Sequence, residues 1–160
     1  SMSGVFTGKK IGFPPCTPQA CMEILDYYGI DCKGKNAVVI GRSLVVGKPA
    51  AMMLLAMNAT VTIAHSKTDK EYLKQITSLA DYVIVGIGKA GELNWLVDTS
   101  KDTIWIDCGI NRDENGKVCG DITIESNKVT PVPGSVGTLT TACLAWNVAC
   151  AANLRKSDPH

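Results

Sequence analysis

Apolar positions along the chain follow two periods. Cys21, Ile24, Leu25 and Tyr28 recur at i, i+3, i+4 and i+7, with Thr17 placed to cap, Pro18 suited to the first turn and Gly29 placed to end a helix. NAVVI at 36–40 is a short apolar strand run, and PAAMMLLAM at 49–57 is helical in composition and apolar nearly all round, which predicts burial against a sheet. The pattern then gives a strand over 59–64, a helix over 69–78, and strands over 81–85 and 103–107. Strands alternating with helices at this spacing imply a parallel sheet with right-handed crossovers. DENGK at 113–117 and TPVPGSVG at 130–137 read as turns. A last helix over about 139–154 presents Leu139, Ala142, Cys143, Trp146, Ala149 and Cys150 as its apolar face.

The predicted fold class is therefore α/β: a Rossmann-like, doubly wound, mainly parallel sheet flanked by helices, in one domain over 1–160. Composition supports a compact chain, because 46% hydrophobic residues against 19% charged argues against disorder. The formal net charge of +1 comes from interspersed signs, so no basic stripe points to nucleic acid or a membrane surface. None of the seven cysteines forms a C-x-x-C pair, which reads as free thiols in a reducing, cytoplasmic setting with no metal centre. Ser1 and Met2 read as an expression scar.

Two glycine-bearing segments compete for a nucleotide's pyrophosphate. GIGKAG at 86–91 matches G-x-G-x-x-G to the letter, yet it follows a later strand and leads into ELNW with no long helix behind it. VVIGRSLVVGKPA at 38–50 has the right context: a strand, Gly41, a short loop, Gly47, then a helix entered through Pro49. The pyrophosphate is expected there, and Gly86 and Gly88 are expected to line the nicotinamide end of the same crevice. About 20 residues after the first glycine loop an NAD site usually carries a carboxylate for the ribose hydroxyls. Here the stretch reads AHSKT, with His65, Ser66 and Lys67 and no acid. With Arg42 and Ser43 these donors suit a 2′-phosphate, so NADP is the expected cofactor.

PCTPQAC at 15–21, VVIGRSLVVGKP at 38–49, ATVTIAHSKT at 59–68, DCGIN at 107–111 with GDI at 120–122, and TPVPGSVGTLT at 130–140 stand in one order. In that order they resemble the cofactor domain of bifunctional methylenetetrahydrofolate dehydrogenase/methenyltetrahydrofolate cyclohydrolases. The resemblance implies cofactor contacts at Gly41, Arg42, Ser43, Ser66, Ile110 and Thr140, and folate contacts at Pro133, Gly134 and Gly137. The chain departs from the family's P-G-G-V-G-P segment at Ser135 and Thr138. The family's catalytic Tyr and Lys, in a Y-x-x-x-K arrangement, belong to an N-terminal folate-binding domain. None of Tyr27, Tyr28, Tyr72 or Tyr82 has Lys four positions on. No catalytic residue is assigned, and the chain alone is expected to bind NADP without turnover. In the whole protein the resemblance implies a homodimer that oxidises methylenetetrahydrofolate and hydrolyses the methenyl product. A free-standing nucleotide-binding module and a shikimate-dehydrogenase-like fragment remain as alternatives, and the apolar stripe of the last helix reads either as core packing or as a face made to dock on the absent domain.

Overall fold

The computed structural model describes residues 2–7 and 12–156. Its elements are α1 (Met2–Thr7), α2 (Cys16–Tyr27), β1 (Asn36–Ile40), α3 (Gly47–Ala56), β2 (Thr60–Ala64), α4 (Lys70–Ser78), β3 (Tyr82–Val85), a 3-10 turn (Asn94–Leu96), β4 (Ile104–Asp107), β5 (Asn111–Arg112), β6 (Val118–Cys119) and α5 (Val136–Lys156). Four strands form one parallel sheet in the order β2-β1-β3-β4, and β5 and β6 make a separate antiparallel hairpin.

That order places helices on both faces. The chain leaves β1 to pair β2 on one side, then returns across β1 to pair β3 on the other, so the two crossover helices pack on opposite faces. One face packs Ala37, Val39, Tyr82, Ile84 and Ile106 against α2 and α3 through Leu25, Ala50, Ala51 and Leu54. The other packs Val38, Ile40, Val83, Val85 and Trp105 against Leu73 of α4, with Leu93 and Leu96. Both faces of β1, β3 and β4 are covered, so these strands are apolar runs and not alternating ones. Beyond β4 the chain runs alongside as a partial fifth strand: Trp105 N donates to Lys128 O at 2.7 Å and Thr130 N to Trp105 O at 2.9 Å. This pairing delivers the 131–140 segment to the carboxyl edge of the sheet.

The helices depart from expectation at their ends and in one stripe. Pro15 takes the N-cap position of α2 with no side-chain cap, placing Thr17 inside the first turn, and Tyr28 is exposed. The last helix begins at Val136, three residues before Leu139, and extends past 154. Its buried side is Val136, Cys143 and Asn147, with Leu139 and Cys150 half-buried, while Ala142, Trp146 and Ala149 are exposed. Val136, Leu139 and Cys143 pack into the cluster that holds the buried side of α2, and Asn147 Nδ2 donates to Gln19 Oε1 at 2.9 Å, so α5 turns this face toward α2. All seven cysteines are free; Cys21, Cys32 and Cys143 are buried and the other four half-buried. Of the expected scar, Ser1 lies outside the described residues and Met2 stands in α1.

α4 gives a direct test of local stability. Its N-cap Asp69 accepts from Tyr72 N at 3.0 Å, satisfying one of the free amides of the first turn. Asp69→Ala should lower the unfolding free energy by about 0.5–2 kcal/mol in urea titrations.

Candidate functional site

The sheet's topological switch lies between β1 and β3, whose following connections leave in opposite directions. In open α/β sheets ligands bind outside the carboxyl ends of strands at such a point. The loop after β1, the turn after β2 and the loop after β3 all meet this edge.

The loop after β1 is built by close backbone approach. Gly41 N donates to Ala64 O at 2.9 Å, joining the loop to the end of β2. A Cβ on Gly41 would strike Gly86 O at 2.6 Å, and one on Gly47 would strike Gly41 O and the Arg42 amide. Only glycine lets the start of α3 sit this close to the strand end. Ser43 Oγ accepts from Val46 N at 3.0 Å and Gly47 N at 3.4 Å, and Ser43 O accepts from Lys48 N. No backbone carbonyl among the described residues takes the amides of Arg42, Ser43, Leu44 or Val45. These residues are exposed at the entry to a helix. Free amides and a helix N-terminus in one place suit an anion.

The turn after β2 holds the three expected donors. His65 N donates to Thr68 Oγ1 at 2.9 Å, Thr68 N to His65 O at 2.8 Å and Lys67 N to His65 Nδ1 at 3.2 Å. With Nδ1 accepting, neutral His65 carries its proton on Nε2. Ser66 and Lys67 are exposed beside the β1 loop, because β2 pairs β1 in register to Ala64.

The GIGKAG loop after β3 differs in one decisive respect: its amides are already bonded. Ile87 N and Gly88 N donate to Asp121 Oδ2 at 2.6 and 3.2 Å, and Lys89 N to Asp121 Oδ1 at 2.7 Å. Asn111 Nδ2 adds a fourth bond at 2.9 Å. Asp121 is 0% exposed. Asp107, at the end of β4 and 1% exposed, accepts from Gly109 N, Asp121 N and Ile122 N at 2.7, 3.2 and 2.8 Å. Burial pushes the Asp107 carboxyl above the ordinary aspartate range, against the pull of those amides and with some help from the Asp121 charge.

Five expected residues converge elsewhere on the same edge. Ile110, Pro133, Gly134, Gly137 and Thr140 line one cavity of about 820 Å³, joined by Thr17, Cys108 and Thr138. Cys108 Sγ lies 3.3 Å from Cys21 Sγ, and that contact with burial holds the Cys108 thiol well above its usual pKa. Ser135 Oγ donates to Pro131 O at 2.7 Å, so the serine that replaces the second glycine of the resembled segment closes its own turn. Thr140 Oγ1 donates to Val136 O at 2.7 Å.

Residues 15–156 match the family model described as the tetrahydrofolate dehydrogenase/cyclohydrolase NAD(P)-binding domain. The chain belongs to this family. It is 51% identical over 157 residues to the bifunctional protein FolD of Clostridium botulinum, covering 95% of this chain and 55% of that protein. The bifunctional FolD enzyme of Campylobacter jejuni superimposes with a TM-score of 0.87 at 42% identity, over 96% of this chain and 55% of that one. The FolD of Trypanosoma brucei, solved with NADP cofactor and an inhibitor, gives 0.83 at 28% identity, over 98% and 57%. The chain thus spans about half the length of the relatives it matches.

Sequence reasoning named the glycines of this NAD(P)-binding domain and passed over its acids. DCGIN and GDI were recognisable as segments, but only Ile110 received a role. The available signal was an acid ending the apolar run TIWID and another between Gly120 and Ile122, since a carboxylate in apolar surroundings must find donors.

The close approach at Gly47 makes a measurable distinction. Gly47→Ala should depress both the melting temperature and nucleotide affinity, because the added carbon meets backbone. Gly91→Ala, at φ +68° with only the Thr123 and Asn94 side chains nearby, should cost about 1–2 kcal/mol of stability and leave affinity within a few-fold.

Proposed function

We propose that this chain is a single NADP-binding domain, and the cofactor half of an enzyme that oxidises 5,10-methylenetetrahydrofolate and hydrolyses the methenyl product to 10-formyltetrahydrofolate. The observation that carries the reading is the division of amides at the switch point. Those of Arg42 to Val45 have no backbone acceptor, whereas those of Ile87 to Lys89 are committed to Asp121. The pyrophosphate therefore belongs over Gly41 and Gly47 at the start of α3, and GIGKAG serves as shape.

From that fixed point the sheet order orients the rest. The adenosine end lies toward β2, where Arg42, Ser43, Ser66 and Lys67 surround the 2′-phosphate and His65 shapes the turn that presents them. The nicotinamide end lies toward β3 and β4, past Gly86 and Gly88, to Ile110 and Thr140. Folate enters beside Pro133, Gly134 and Gly137. Bound NADP⁺ supplies the hydride acceptor for the methylene carbon; this chain's residues orient the nicotinamide, exclude water behind it and leave proton transfer to another domain. That division accounts for the absence of a Tyr-Lys pair from this sequence and predicts no turnover by the chain alone. The homologous enzymes have about as much chain again, and a catalytic domain from that portion would complete the folate site.

We place the protein in the cytoplasm as a homodimer. Support comes from free thiols throughout, from the absence among the described residues of any helix long and apolar enough to cross a membrane, and from the unpaired outer edge of β2 with Ile63 exposed.

Calorimetry tests the cofactor. NADP⁺ should bind more tightly than NAD⁺ by about 1–3 kcal/mol, and Arg42→Ala should remove most of the difference. Equal affinities in the wild-type chain would contradict the 2′-phosphate assignment. NADPH production from methylenetetrahydrofolate by residues 1–160 alone would contradict the division of labour.

A further inference from the structure

GIGKAG, DCGIN and GDI are joined by one hydrogen-bond relay. It starts at the end of β4, where the Asp107 carboxylate takes the amides of Asp121 and Ile122 and fixes the backbone of the 120–122 turn. That turn aims the Asp121 carboxylate at the loop after β3, where both oxygens are filled by Ile87, Gly88, Lys89 and Asn111. The glycines of the two segments make room for this relay. A Cβ on Gly109 would enter the Asp121 carboxyl group, and one on Gly120 would strike Asp107 Oδ2.

Two features of the relay bear on function. First, every hydrogen-bond partner of the Asp121 oxygens is an N–H donor, and these donors offset its charge. Second, Gly88 and Lys89 are exposed and lie outside regular structure, so little besides Asp121 holds their backbone. The loop they form stands between the β1 loop and the end of β4, which is where the middle and far end of a dinucleotide would pass.

Resting on the reading that NADP⁺ spans this edge, we infer that Asp121 is a positioning residue for the nicotinamide half of the cofactor. It acts through the Gly86–Lys89 backbone, is itself held by Asp107, and takes no part in binding the 2′-phosphate half.

The test compares two ligands on one variant. Asp121→Asn keeps the shape of the side chain but sets an amide group against N–H donors. In the 160-residue chain it should weaken NADP⁺ about tenfold or more, while adenosine 2′,5′-bisphosphate, which lacks the nicotinamide and its ribose, should bind within about twofold of wild type. Hydrogen exchange supplies a measurement that needs no variant: the Gly88 and Lys89 amides should be protected in the wild-type chain despite their exposure. Should Asp121→Asn fail to fold, Asn111→Ala removes one of the four donors and should produce a smaller loss in the same direction. Equal losses for the two ligands, no loss for either, or exchange of the two amides at free-peptide rates would overturn the inference. Equal wild-type affinity for NAD⁺ and NADP⁺ would contradict the 2′-phosphate assignment only, and NAD⁺ against AMP would then decide the role of Asp121 in the same variant.

Discussion

Two carboxylates without access to solvent organise the ligand edge of this sheet. An ionised aspartate in a protein interior is costly unless donors surround it, and here the donors are backbone amides and the Asn111 side chain. Asp107 and Asp121 together accept seven hydrogen bonds. Bonds to charged groups contribute about 1.5–3 kcal/mol each, and leaving one such group unpaired costs several. The loops after β3 and β4 have no regular pairing of their own at this edge. Their shape therefore depends on the two acids more than on hydrophobic burial.

This constraint separates two glycine loops that look interchangeable as letters. A backbone amide can serve an internal carboxylate or a ligand phosphate, seldom both with good geometry. At Ile87 to Lys89 the internal partner holds the amides. At Arg42 to Val45, where Gly47 packs against Gly41, the amides have no backbone acceptor among the described residues.

Much of this was legible in the sequence for a physical reason: strands buried on both faces must be apolar, and NAVVI and DYVIV could form little else. Context also gave a reason to prefer the first glycine loop, because a strand followed by a helix entered through proline is visible without coordinates, and the structure has that strand, loop and helix. The register of α5 was not legible. Ala142, Trp146 and Ala149 are as apolar as Val136 and Cys143, and the buried face also carries a polar pair, Asn147 with Gln19, separated by more than a hundred positions in the chain. The β5–β6 hairpin was missed because two-residue strands leave no periodicity. The relay of acids was missed because its logic is nonlocal: an aspartate 32 residues from Lys89 means nothing until the sheet brings β3 beside β4.

A crystal structure of this chain with NADP⁺ bears most directly on the central claim, that the first glycine loop receives the phosphates and the second is held from within. The expected result is pyrophosphate oxygens within hydrogen-bond reach of the Arg42–Val45 amides, with Asp121 still bonded to Ile87, Gly88 and Lys89. Pyrophosphate seated on the 87–89 amides, with the Asp121 carboxylate displaced from them, would contradict it.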